Sequence, residues 1–232
     1  MRCGRSWGCE TVWAIIPIIV KYYLYISDAK VDMLLPQIPH ETKKKIATEF
    51  GFDFKIFKAG RKSEEDPEDN RITRLEAVVA FLREYGNLGS IDEPDEFIEG
   101  SAVMAMQSDQ EIVLFTGVGE RTTVCLGGSS RHLLGNPPVA DGSRMTSMAG
   151  GIYQWLEENE KDRDALHGFS PAWSISWLAE KSMKDSIIPK QPVEFVAKRL
   201  LFEPNPRPEA ADGSDSPSHV LLATPLYVAM TD

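Results

Sequence analysis

The sequence predicts an α+β fold, a mixed, largely antiparallel sheet covered by helices in a single domain, and three observations predict it. Three strand candidates, Phe97 to Met106, Glu111 to Thr116 and Thr122 to Leu126, follow one another across connections suited to hairpins, Ser108-Asp109-Gln110 and Gly117-Val118-Gly119-Glu120. That arrangement is a meander. After Gly135-Asn136-Pro137-Pro138 the apolar spacing turns helical, and the chain then ends on a strand-like apolar segment, His219 to Met230, that must be buried. Its simplest burial is a return to the sheet.

The elements follow in order. Residues 1–19 read as an extension ahead of the domain, a mis-called start or a disordered segment, with an extra strand or anchor and a signal peptide as the other readings. Arg2 and Arg5 precede an apolar run, but Pro17 interrupts it and no small-residue cleavage site follows. Val20 to Ser27 is aromatic and β-branched with both faces apolar, which predicts a central strand. Asp28 would cap a short helix, Ala29 to Leu35, ended by Pro36. Glu41 to Phe50 is a second helix with Gly51 as its stop, and Asp53 to Lys58 alternates as a strand. Gly60 to Asn70 reads as a charged loop. Arg71 to Tyr85 is the clearest helix, with Ile72, Leu75, Val78, Val79, Leu82 and Tyr85 at steps of three and four and Asn70 as N-cap. Further helices are expected over Met145 to Glu160, Ala172 to Ser182 and Pro192 to Phe202, and a flexible loop over Glu203 to Ser218. In the last strand Pro225 would demand a bulge or a gap in the ladder.

Composition narrows the function classes. Apolar residues make up 42% of the 232, enough for a substantial core. A net charge of −10, from 35 acidic against 25 basic residues, argues against general nucleic-acid binding. Cys3, Cys9 and Cys125 give neither a zinc spacing nor an even disulfide set, which suits a reducing, cytoplasmic setting. His40, His132, His167 and His219 are isolated, so no metal is expected, and no motif calls for a cofactor. No segment is long enough to span a membrane.

Two segments carry the candidate chemistry. In Gly127-Gly128-Ser129-Ser130-Arg131-His132 an apolar strand runs into glycines, hydroxyls, a guanidinium and an imidazole, the composition of a strand-to-helix turn that could hold an anion. The helix would run from Ser130 to Leu134. No lysine follows the glycines as a P-loop requires, the third glycine of a dinucleotide fingerprint is missing, and arginine stands where a nucleophile elbow needs glycine. A serine-capped strand-to-helix turn is the plainer reading of the segment, with anion binding as the alternative to it. The second segment, Ser27-Asp28-Ala29-Lys30-Val31-Asp32, places hydroxyl, carboxylates and an amine at the end of a strand, where ligands collect in sheets flanked by helices. Trp173 and Trp177, four apart, would share a helix face.

The blocks Lys21 to Leu34, Thr123 to Ser130, Val193 to Leu201 and Leu221 to Ala229 together resemble a bacterial family, common in actinomycetes, that is carried as a domain of unknown function. The resemblance implies one domain beginning near Val20 and brings no catalytic residue with it. Cys125 departs from the small residue its pattern has there.

The function these observations favour is a soluble ligand- or partner-binding module, regulatory in character, using Ser27, Asp28, Lys30, Gly127, Gly128, Ser129, Ser130, Arg131 and His132 for a small anionic ligand or a protein partner. The alternative is a hydrolase or transferase using Ser129 or Ser130 with His132 and an acid from Asp28 or Asp32. A third is an oligomer subunit without chemistry, marked by an apolar patch near the tryptophans.

Overall fold

The computed structural model describes residues 21–50, 67–108, 111–135, 149–159, 169–207 and 217–231. The strands are β1 (Tyr22–Ile26), β2 (Leu88–Gly89), β3 (Phe97–Ser108), β4 (Ile112–Val118), β5 (Thr122–Ser129), β6 (Lys190–Pro204) and β7 (His219–Met230). The helices are α1 (Asp28–Leu34), α2 (His40–Phe50), α3 (Pro67–Tyr85), α4 (Ala149–Asn159) and α5 (Pro171–Lys184). Short 3-10 turns follow α1 at Leu35–Gln37 and β5 at Ser130–His132.

The fold is α+β, and its mixed sheet closes on itself. β3, β4 and β5 form the antiparallel meander, β5 pairs parallel with β7, β7 pairs antiparallel with β6, and β6 returns antiparallel to β3. Closure removes the open edges of those five strands. Met104, Phe115, Val124, Leu126, Val193, Phe195 and Leu221 point into the ring and fill it with side chains. The outside is covered in two places. Val31, Ile46, Leu75, Val78 and Leu82 from α1, α2 and α3 pack on Ile26, Val196, Leu226 and Tyr227, while Ile152, Leu156, Ile175 and Leu178 from α4 and α5 pack on Leu114, Cys125 and Leu222. Helices therefore bury both outer patches that the alternation of β5, β6 and β7 creates.

The C-terminal segment is the strand its apolar character predicts, and Pro225 does force a bulge: Val196 pairs with Tyr227 but Ala197 pairs with Pro225, leaving Leu226 between. Other expectations need correction. Pro192 to Phe202 is not a helix but the middle of β6, because Val193, Phe195 and Ala197 enter the ring while Val196 packs outward beneath α3. A strand buried on both faces loses its polar alternation and mimics helical spacing. β1 is not central either. Among the described residues it pairs with β7 on one side, and its other edge meets a single bridge from Tyr25 to Leu133. A register shift between Tyr23 and Tyr25 breaks its two-residue period, so Tyr23 and Ile26 pack toward the helices while Leu24 and Tyr25 pack toward the ring.

Asp28 lies inside α1 rather than capping it, with Ser27 in the cap position. α3 begins at Pro67, four residues before the expected start, so Asn70 is helical and not a cap. Ser130 to Leu134 makes one 3-10 turn instead of a helix, since Leu133 leaves helical geometry to bridge Tyr25. The strand expected at Asp53 to Lys58, Gly51, Met145 to Met148 and most of the loop expected between Glu203 and Ser218 lie outside the described residues. Among the described residues no helix is long and apolar enough to cross a membrane.

A cationic cluster at the end of β1 and β5

The two glycines belong to β5 and do not turn. Gly127 faces α4, where a β-carbon would lie 2.9 Å from Ile152 Cδ1, and Gly128 faces the ring, where a β-carbon would collide with the Tyr25 hydroxyl. Both positions need glycine for close packing on opposite faces of one strand. Ser129 and Ser130 are buried, and Ser129 Oγ accepts a long 3.5 Å bond from the Arg131 amide across the turn.

Tyr25 joins the two predicted segments. Its ring fills the end of the barrel, edge-on to Phe115 at 6.3 Å on the inside and edge-on to His132 at 5.7 Å on the other side. Its hydroxyl lies against Ser27 and the Ser129 backbone, but neither contact has hydrogen-bond geometry, and burial pushes its pKa up. Ser27, buried just beyond β1, is fixed by its amide donating to Leu226 O at 2.8 Å. The bulge at Leu226 thus sets the path from β1 into α1.

The charges gather around this point. Lys30 is half-buried, and its amine donates to Ser27 Oγ at 3.3 Å and to the Pro225 carbonyl at 3.1 Å. Both acceptors are neutral. Desolvation accordingly lowers the Lys30 pKa to about 8. Asp28 is taken by Arg71 of α3, whose Nε donates to its carboxylate at 2.7 Å while Nη2 donates to Ile26 O at 2.9 Å. Asp32 is likewise paired with Arg74. Burial holds the His132 imidazole below its ordinary pKa; the Asp28 carboxylate pulls it up, and Lys30, Arg71 and Arg131 push it further down. His132 therefore sits within the field of groups from α1, α3 and its own turn.

A groove of about 330 Å3 opens beside the cluster, lined by Lys21, Tyr22, Tyr23, Ile26, Arg71, Ile72, Leu134 and Gly135. Arg71 belongs to both groove and cluster. Tyr22, Ile72 and Leu134 present exposed apolar surface there. Lys21, also in its lining, is engaged by Glu194 at 2.9 Å.

The convergence of Ser27, Asp28 and Lys30 with Ser129, Arg131 and His132 was foreseeable as two segments, whereas Arg71 was not, because nothing in the local pattern of α3 distinguishes it from a solvated helix residue. Asp28 and Asp32, the acids that a serine and histidine mechanism would recruit, are both held by arginines of α3. The described residues include no group of three or more His, Cys, Asp or Glu able to hold a metal. Trp173 and Trp177 stack at 6.5 Å, with Arg207 over Trp173 and Lys181 over Trp177.

Comparison with curated proteins and with solved structures finds no match. A family model matches residues 21–232, a span that includes every described residue, and on that match the protein belongs to the family of unknown function DUF7019.

Proposed function

We propose that the protein is a binding module for a small organic anion, held at the cluster formed by Ser27, Lys30, Arg71, Arg131 and His132. The observation that carries this reading is the charge imbalance around Tyr25. Lys30, Arg71 and Arg131 all act to lower the His132 pKa, with Asp28 as the single carboxylate among the charges acting on it, although the whole chain is strongly acidic. Gathering like charges in a partly desolvated place costs stability, and an anion relieves that cost. The adjoining groove is of a size suited to a small ligand, and Arg71 lines it together with Tyr22, Ile72 and Leu134, so the ligand combines an acidic head with an apolar body. A cytoplasmic setting suits Cys125, whose buried thiol is pushed up to about 12 and kept unreactive.

The test is a thermal-shift survey of small carboxylates and phosphate esters at low salt, repeated with Lys30→Met and Arg71→Gln. Binding raises the melting temperature of the wild-type chain, and both substitutions and high salt weaken the effect. A flat response across the survey, or an equal response from the variants, refutes the proposal.

A further inference from the structure

We propose that the ligand of this site is a free fatty acid of medium chain length, a monocarboxylate whose head is held by the spare donors of Arg71 and whose hydrocarbon chain lies in the groove that Arg71 lines. The inference rests on the anion-binding reading above and names the chemical class of the ligand. It begins with the way Arg71 is held. Nε donates to Asp28 at 2.7 Å and Nη2 donates to the Ile26 carbonyl at 2.9 Å, which spends Nε and one hydrogen of Nη2. Both hydrogens of Nη1 and the second of Nη2 have no acceptor among the described residues. Nη1 is not one of the buried atoms that lack a partner, so solvent reaches it on a side chain that is 24% exposed. A guanidinium whose plane is already fixed loses little further freedom when it donates to a carboxylate.

The groove sets the charge and the body of the ligand. Lys21, the other cation in the lining, is held by Glu194 at 2.9 Å and by Glu76 at 3.8 Å, with its amine 5.2 Å from the centre of the Tyr227 ring. Arg71 is therefore the cation of the lining with donors to spare, and one guanidinium matches one carboxylate better than a dicarboxylate or a phosphate dianion. Around it Tyr22, Ile72 and Leu134 are 68%, 41% and 36% exposed, apolar surface that gains from being covered. The Tyr23 hydroxyl is spent on Glu76, and no carboxylate or amide side chain lines the groove, so a ligand body rich in hydroxyls would leave them unmatched. A methylene group occupies roughly the 30 Å3 of a water molecule in the liquid, so about 330 Å3 holds a chain of about ten carbons.

The experiment titrates the full chain by calorimetry at low salt with hexanoate, octanoate and decanoate, all kept below micelle formation. Glycolate, which keeps the carboxylate and lacks the chain, and octylamine, which keeps a chain and reverses the charge, are the comparisons. Affinity is expected to rise along the series by roughly two- to fourfold per added methylene, with glycolate weakest of the acids and no binding of octylamine. Arg71→Gln is expected to weaken decanoate by roughly tenfold or more. Ile72→Ser, which leaves the Arg71 bonds in place, is expected to weaken decanoate several-fold and leave glycolate unchanged. If glycolate binds and lengthening the chain or replacing Ile72 changes nothing, the fatty acid falls and the anion site stands. Octylamine binding as tightly as octanoate, or decanoate binding Arg71→Gln as tightly as the wild-type chain, also overturns the proposal; if neither glycolate nor decanoate binds, both readings fall.

Discussion

The amine of Lys30 and the carbonyl of Pro225, 195 positions apart in the chain, meet at 3.1 Å where the last strand bulges. Pro225 lacks an amide hydrogen and breaks the ladder with β6, and Lys30 takes up a carbonyl at the interruption. One contact thereby ties the sheet irregularity to the cationic cluster.

Lys30→Met is expected to stabilise the free protein by roughly 1 to 2 kcal/mol at pH 7, because it removes a desolvated charge at the loss of two hydrogen bonds to neutral groups. The sign with pH follows from the lowered pKa. Between about 8 and 10.5 the unfolded chain still holds the Lys30 proton while the folded chain has released it, so wild-type stability rises with pH across that window. The advantage of the variant is therefore largest below pH 8 and fades as the pH approaches 10.5. Chemical denaturation at several pH values measures both, and a variant that is less stable at pH 7 contradicts the account.

Gly128→Ala is expected to destabilise by about 2 to 4 kcal/mol, since the new methyl group meets the hydroxyl and ring of fully buried Tyr25. Tyr25→Phe alone should change stability by less than about 1 kcal/mol, its hydroxyl lacking a well-formed bond. A double-mutant cycle should show a favourable coupling, as removal of the hydroxyl makes room. Strict additivity would place the conflict elsewhere.

Gly127→Ala is expected to be milder, about 1 kcal/mol, because the conflict is with one side chain, closest at the terminal methyl of Ile152 with its Cγ1 and Cγ2 at 3.1 Å. Ile152→Val removes that methyl and should restore part of the loss in the double variant. Denaturation midpoints of the four proteins decide it.

Phe195→Ala is expected to cost about 3 to 5 kcal/mol, the range for truncating a buried aromatic. Phe195 faces the inside of the ring beside Val193 and Ala197. A change below about 1 kcal/mol, which is typical of surface sites, would be inconsistent with β6 closing the ring.

What was legible in the sequence was what is local. The meander of β3, β4 and β5 follows from its turns, α3 from its spacing, and the bulge in β7 from a proline inside an apolar run. Ring closure was not legible, because it depends on β6 pairing with β3 about a hundred residues earlier. Val193, Val196, Ala197, Leu200 and Leu201 recur at three and four residue steps, so β6 satisfies a helical pattern while its neighbours impose a strand. The glycines of β5 pointed to the right place for a different reason. They mark close approach by Tyr25 and Ile152, and Tyr25 carries the strand end that assembles the cluster. Arg71 became visible only when α3 was laid across the start of α1.

The most direct test of the anion site is the titration of His132 followed by NMR in the free protein and with saturating glycolate. In the free protein burial and the surrounding cations hold the imidazole below its ordinary pKa. A bound carboxylate offsets those cations, so the account predicts that the His132 pKa rises on binding. An unchanged His132 titration in the presence of glycolate would contradict it.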